Sequence, residues 1–159
     1  MPGTIGFFTS SGSPAVKISI YGVFPNLSKE FDAIIDTGFT GFLSMPLVQA
    51  FPLGLVLFGT TNVVLADGST AYRLTAYGHA KLGDHDKSGI IILEPNSTDV
   101  LIGMDFLVGF AQTLFIVGER VAVALVDNED VVEAVKKLAT GTQKGQKEQE
   151  GSPGSPPGG

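Results

Sequence analysis

With 159 residues, 43% of them hydrophobic and 16% charged, the chain is long enough for one well-filled core and too short for two. Sixteen acidic against ten basic side chains leave a net charge of −6, which argues against a nucleic-acid partner, since a phosphate backbone needs a basic face. The absence of cysteine excludes a disulfide framework, a Cys-ligated zinc or iron–sulfur centre and thiol catalysis, and it fits a reducing, cytoplasmic compartment.

Met1 to Ser10 has neither a basic leader nor a long apolar run, so no secretory signal is expected. Val16 to Tyr21 alternates apolar and polar residues with period two, the pattern of a strand with one face on a core. A turn at Phe24-Pro25-Asn26 follows, and Phe31 to Ile35 then reads as a buried strand that runs straight into Asp36-Thr37-Gly38. Ser44 before Met45-Pro46 predicts a cap and a helix start, and Pro52 with Gly54 keeps that helix short.

Asn62 to Ala66, Asp67-Gly68 and Ser69 to Ala76 predict a hairpin, because Asp-Gly supplies the positive φ of a tight turn. A turn at Gly83 to Lys87 separates Tyr77–Leu82 from the apolar run Ile90–Leu93. Val100 to Leu107 predicts an apolar strand, a glycine and a short helix. The apolar run from Val100 to Val117 is a poor membrane span, because Asp105 at a bilayer centre would cost roughly 2.5–3.5 kcal/mol. Val117 to Val121 closes a second hairpin with arms Thr113–Val117 and Val121–Val126.

An amphipathic helix is expected over 127–139, with Glu129 and Asp130 at its positive end and Val131, Val132, Val135 and Leu138 along one side. That stripe suits packing on the chain's own body better than a partner helix. From 140 to 159 no large apolar residue remains, so a disordered Gly/Pro/Ser-rich tail is expected. The folded domain is therefore 1–126, all-β in class.

The chemistry concentrates at Asp36-Thr37-Gly38-Phe39-Thr40-Gly41. An acidic side chain at the end of a buried strand stands where water is scarce, and the glycines allow the backbone to turn close to a ligand. The competing reading is an Asp that caps its own turn. Asp84-His85-Asp86 could hold a metal, but a solvated turn explains it better, and two histidines in all make a His-rich centre implausible. Asn96-Ser97-Thr98 fits a glycosylation sequon and reads as an ordinary loop.

Taken together, Asp36-Thr37-Gly38, the Asp67-Gly68 hairpin and Leu101-Ile102-Gly103, in that order, resemble the retropepsin-like aspartic proteases, single-lobe enzymes of retroviruses with relatives in bacteria and archaea. The resemblance spans about Ala15 to Val126. It implies a closed or partly open barrel with a flap hairpin, a catalytic Asp36 held by Thr37 and Gly38, and a flap over Val64 to Ala71. Substrate contacts would fall to Phe39, Thr40 and Phe42, to Ala66, Asp67, Gly68 and Ser69 on the flap, and to Ile102 and Gly103. Thr37 would bridge two loops through its hydroxyl. Viral members carry an acidic residue soon after the Asp-Thr-Gly and an Arg after the downstream Gly; here Phe39 to Phe42 and Met104 stand instead, so viral dimer contacts and specificity are not carried over.

This mechanism needs two carboxyls about 3 Å apart sharing one proton. One chain has one such motif, so the resemblance implies a homodimer that pairs Asp36 with its copy and hydrolyses peptides by activated water, with no cofactor and no metal. The alternative from another class is a catalytically inert dimerisation or peptide-binding module of the same fold; a small-ligand carrier would leave Asp36 unexplained.

Overall fold

The computed structural model describes residues 3–118 and 122–150. In chain order the elements are β1 (Gly3–Ile5), β2 (Phe7–Phe8), β3 (Pro14–Tyr21), β4 (Lys29–Ile35), β5 (Leu43–Pro46), α1 (Leu47–Ala50), β6 (Val56–Val64), β7 (Thr70–Leu82), β8 (His85–Glu94), β9 (Val100–Ile102), α2 (Met104–Gly109), β10 (Gln112–Val117), β11 (Ala122–Asp127) and α3 (Asn128–Glu150). Short 3-10 turns cover Pro25–Leu27 and Phe51–Leu53.

Strands β3, β4, β9, β5, β8 and β7 are neighbours in that order, and β7 pairs back onto β3, so the sheet closes on itself as a barrel. Closure leaves β2 and β6 as its edges. The seam runs over Ser19↔Lys81, Ile20↔Ala80 and Tyr21↔His79. Alternation along each strand sends Val16, Ile18 and Ile20, then Phe31, Ala33 and Ile35, into one core with Leu43, Met45, Ile91, Ile102 and Phe106. A second sheet, β1-β11-β10, packs beside it and adds Val123 and Leu125 to the same core.

Three expectations are corrected or extended. Ser44 lies inside β5, is buried and caps nothing; the helix starts after Pro46, whose backbone is still extended. The parallel pairing Ser44↔Ile92 explains this, because the ladder needs the backbone that a cap would have used. The expected arm Ser69–Ala76, a strand from Thr70 on, and Tyr77–Leu82 join in one long strand, β7, since nothing between them breaks the pairing with β8. Finally, α3 continues past residue 139 to Glu150, where a disordered stretch was expected; Gln, Lys and Glu are good helix formers even without an apolar face. Residues 151–159 of the expected tail, and the turn residues 119–121, lie outside the described residues.

Candidate active site

Strands β4 and β9 run parallel, with Ala33↔Val100, Ile34↔Leu101 and Ile35↔Ile102 in register, so their ends deliver Asp36 and Gly103 side by side. The ladder extends one rung further, as the Asp36 N–H donates to the Ile102 carbonyl at 2.9 Å. The chain then turns sharply: the Phe39 N–H donates to the Asp36 carbonyl at 3.1 Å and the Gly38 N–H to Asp36 Oδ1 at 3.0 Å. A side chain on Gly38 would bring its Cβ to 3.2 Å from Oδ1, so glycine keeps that bond uncrowded.

The start of α2 clamps the loop from the other side. The Met104 N–H donates to the Phe39 carbonyl at 2.8 Å, and the Asp105 N–H is shared between the Thr40 and Gly41 carbonyls at 3.2 Å each. Gly103 is required here by close approach, because a Cβ on it would sit 2.0 Å from the Gly41 carbonyl oxygen. Sequence reading missed this clamp; the only sign of it was the glycine on each side of the contact.

Asp36 is half-buried and Thr37 and Gly38 are exposed. Among the described residues, Asp36 has no cationic partner and no hydrogen bond to Oδ2, so one carboxylate oxygen is fixed and the other is available. Thr37 makes no side-chain hydrogen bond within the described chain. Phe39 is half-buried against Gly41 and Gly103, and Thr40 is exposed. Two expected substrate contacts belong to the core instead. Ile102 has no exposed surface, and Phe42 is buried against Phe106 and Phe110, with ring centroids 5.3 and 6.4 Å away. Alternation along β9 turns Ile102 inward, and Phe42 packs into the aromatic cluster with Phe106 and Phe110 while also lining a cleft of about 340 Å³ shared with Lys87, Ser88 and Asp105.

At the tip of the β6–β7 hairpin the Leu65 N–H donates to the Ser69 carbonyl at 2.8 Å, and Gly68 takes φ +84°, as the Asp-Gly pattern required. Asp67 Oδ1 accepts from the Ser69 N–H at 2.9 Å and the Ser69 hydroxyl at 2.5 Å. The Ser69 hydroxyl, and after it the backbone N–H, hold the Asp67 carboxyl below its usual pKa. Ala66, Asp67, Gly68 and Ser69 are all exposed, and their hydrogen bonds stay within the turn.

The other acidic candidates disperse. His85 approaches Asp127, while Asp86 turns to the opposite side, accepting from the Tyr21 hydroxyl and lying 3.6 Å from His79. Among the described residues no group of three or more His, Cys, Asp or Glu side chains could hold a metal ion. No described helix is long and apolar enough to cross a membrane. At Asn96–Thr98, the Ser97 hydroxyl accepts the Asp99 N–H at 3.1 Å within a loop.

No family model and no curated protein matches the sequence. Solved structures do. The EIAV protease complexed with the inhibitor HBY-793 superposes with a TM-score of 0.55 over 69% of this chain and 98% of its own, at 12% identity. A retropepsin-like aspartic protease from Rickettsia conorii gives 0.52 over 78% and 90%, at 16% identity. The fold is retropepsin-like. Within that fold the three motifs read in the sequence lie at the β4 end (Asp36–Gly38), at the β6–β7 tip (Asp67-Gly68) and at the β9–α2 junction (Leu101–Gly103).

Proposed function

We propose that the chain is a homodimeric aspartic endopeptidase in which Asp36 of each subunit supplies half of a carboxyl dyad. The observation that carries this reading is the state of Asp36: a carboxylate at the end of a buried strand, one oxygen pinned by its own turn, the other without a partner among the described residues. A mere turn cap would not need the clamp from α2. Two such carboxyls about 3 Å apart hold one proton between them. The ionised one takes a proton from water as its oxygen attacks the peptide carbonyl carbon, and the other donates its proton to the carbonyl oxygen. Collapse of the tetrahedral adduct, with a proton delivered to the nitrogen, breaks the C–N bond.

The same loop suggests the substrate class. From Thr37 to Ala66 the sequence has no Asp, Glu, Lys, Arg or His, so the loop and the first flap strand offer no counter-charge to a peptide. Burying a charge without a partner is costly, which favours uncharged, apolar side chains around the cleaved bond. The test is cleavage of an apolar peptide library by the parent and by Asp36→Asn. A carboxamide cannot shuttle the proton, so the variant should lose activity by at least about a hundredfold while keeping its fold. Equal cleavage by both would remove Asp36 from the mechanism.

A further inference from the structure

The apolar side of α3, expected to pack on the chain's own body, faces solvent instead. Val132, Val135 and Leu138 are 50%, 59% and 72% exposed, while Val131 at the helix base is half-buried. The base itself is firmly mounted. The Asn128 N–H donates to the Ala111 carbonyl at 2.8 Å, the Thr113 hydroxyl to Asn128 Oδ1 at 2.6 Å, and Gln112 Nε2 to Asp127 Oδ1 at 2.6 Å. The helix thus leaves the β10–β11 hairpin in a set direction rather than on a loose linker.

The charges beside the stripe select what covers it. At 3.6 residues per turn, Val131, Val135 and Leu138 run down its centre, with Glu129 and Lys136 along one flank and Asp130 and Lys137 along the other. Each flank therefore has an acid toward the base and a lysine two turns further on. Among the described residues, none of these four side chains forms an ion pair. Lay a second α3 antiparallel, with Val131 level with Val135 of the second copy, and Glu129 comes opposite that copy's Lys136, and Asp130 opposite its Lys137. The two-fold axis repeats both pairs. A parallel α3 would set acid against acid and lysine against lysine. A lipid surface fits less well: residues 128–150 contain five acids against four lysines, whereas a helix lying on an anionic membrane has a basic polar face.

We propose that α3 clasps the homodimer by running antiparallel to α3 of a second copy. From Asn128 to Gly141 the strip is about 20 Å long and about 10 Å wide, so pairing covers roughly 400 Å² over both copies. That is well below the roughly 1,200–2,000 Å² of a stable interface, so the clasp adds to another symmetric contact, and it rests on the dimer proposed above.

Sedimentation equilibrium of the full chain at low salt and neutral pH tests this. Val135→Glu buries a charge in the apolar contact and should raise the dimer dissociation constant at least about tenfold. Glu is a better helix former than Val, so α3 itself is not weakened, and Val135→Lys carries the same test by the opposite charge. Lys136→Glu and Glu129→Lys should each weaken the dimer about fivefold, and an equal mixture of the two variants should return to within about twofold of the parent. Association of folded Val135→Glu equal to the parent's would overturn the clasp, and if that variant still cleaved peptide the dyad would stand without it. Tighter association in Lys136→Glu would overturn the antiparallel arrangement. Binding of the parent to vesicles of anionic lipid that Val135→Glu abolishes, with association unchanged, would overturn it in favour of a membrane. Dimers weakened by Val135→Glu in a chain that cleaves nothing would support the clasp and refute the protease reading.

Discussion

At the scale of single residues the two glycines of the clamp differ in what a side chain on them would meet. Gly103→Ala would push a Cβ to 2.0 Å from the Gly41 carbonyl, where only backbone can yield, so we expect a loss of about 2–3 kcal/mol of stability and of activity with it. At Gly41→Ala the new Cβ meets the Phe39 ring at 2.7 Å, a side chain that can rotate away, so thermal unfolding should distinguish the two variants clearly. Asp67 gives a pH prediction. Its folded pKa is lowered by Ser69, so the turn's contribution is complete above the ordinary Asp value and is lost as pH falls through the folded one. Amide exchange at Ser69 should therefore stay slow at mildly acidic pH, where a carboxyl dyad works, and quicken only in strong acid; quickening already near pH 5 would contradict this.

At the scale of elements the barrel seam is the joint to probe. Tyr21 pairs with His79 in the ladder and stacks on its ring at 4.7 Å, and its hydroxyl bonds Asp86 of β8, so three strands meet in one cluster. Asp86, by accepting that hydrogen bond, and burial after it, raise the phenol pKa above its usual value. Since the folded value is the higher one, this contribution holds below about pH 10 and is lost as pH climbs through the folded pKa. Tyr21→Phe should cost about 1 kcal/mol, read as a lower Tm at neutral pH, and the difference should shrink in strong alkali.

Much of this level was legible in the chain. Period-two alternation gave β3, the apolar run gave β4, Asp-Gly gave the β6–β7 hairpin turn, and the strand-glycine-helix order gave β9 and α2. Ser44 misled because a local cap signal lost to a ladder whose partner lies far away in sequence. The parallel pairing that sets Asp36 beside Gly103, and the Arg73–Glu94 bond, are likewise non-local and carry no short-range signature. The resemblance implies cleft contacts for Ile102 and Phe42, whereas the pleat of β9 sends Ile102 inward and Phe42 joins the aromatic cluster of the core.

At the scale of the whole molecule, a single Asp-Thr-Gly in a closed single-lobe barrel makes the second carboxyl the central question. A symmetric dimer that supplies it should bury roughly 1,200–2,000 Å² or more. Two chains of net charge −6 repel each other at neutral pH and less so in acid, as carboxylates take up protons. Cleavage should follow a bell on the acidic side of neutrality, because only the singly protonated dyad is competent. A flat pH–rate profile would contradict the shared proton.

The stoichiometry of a statin-type hydroxyl inhibitor, which mimics the tetrahedral adduct, tests the shared dyad most directly. Calorimetric titration at mildly acidic pH should saturate at one inhibitor per two chains, with no binding to Asp36→Asn. Saturation at one inhibitor per chain, in protein that sediments as a monomer while still cleaving peptide, would contradict it.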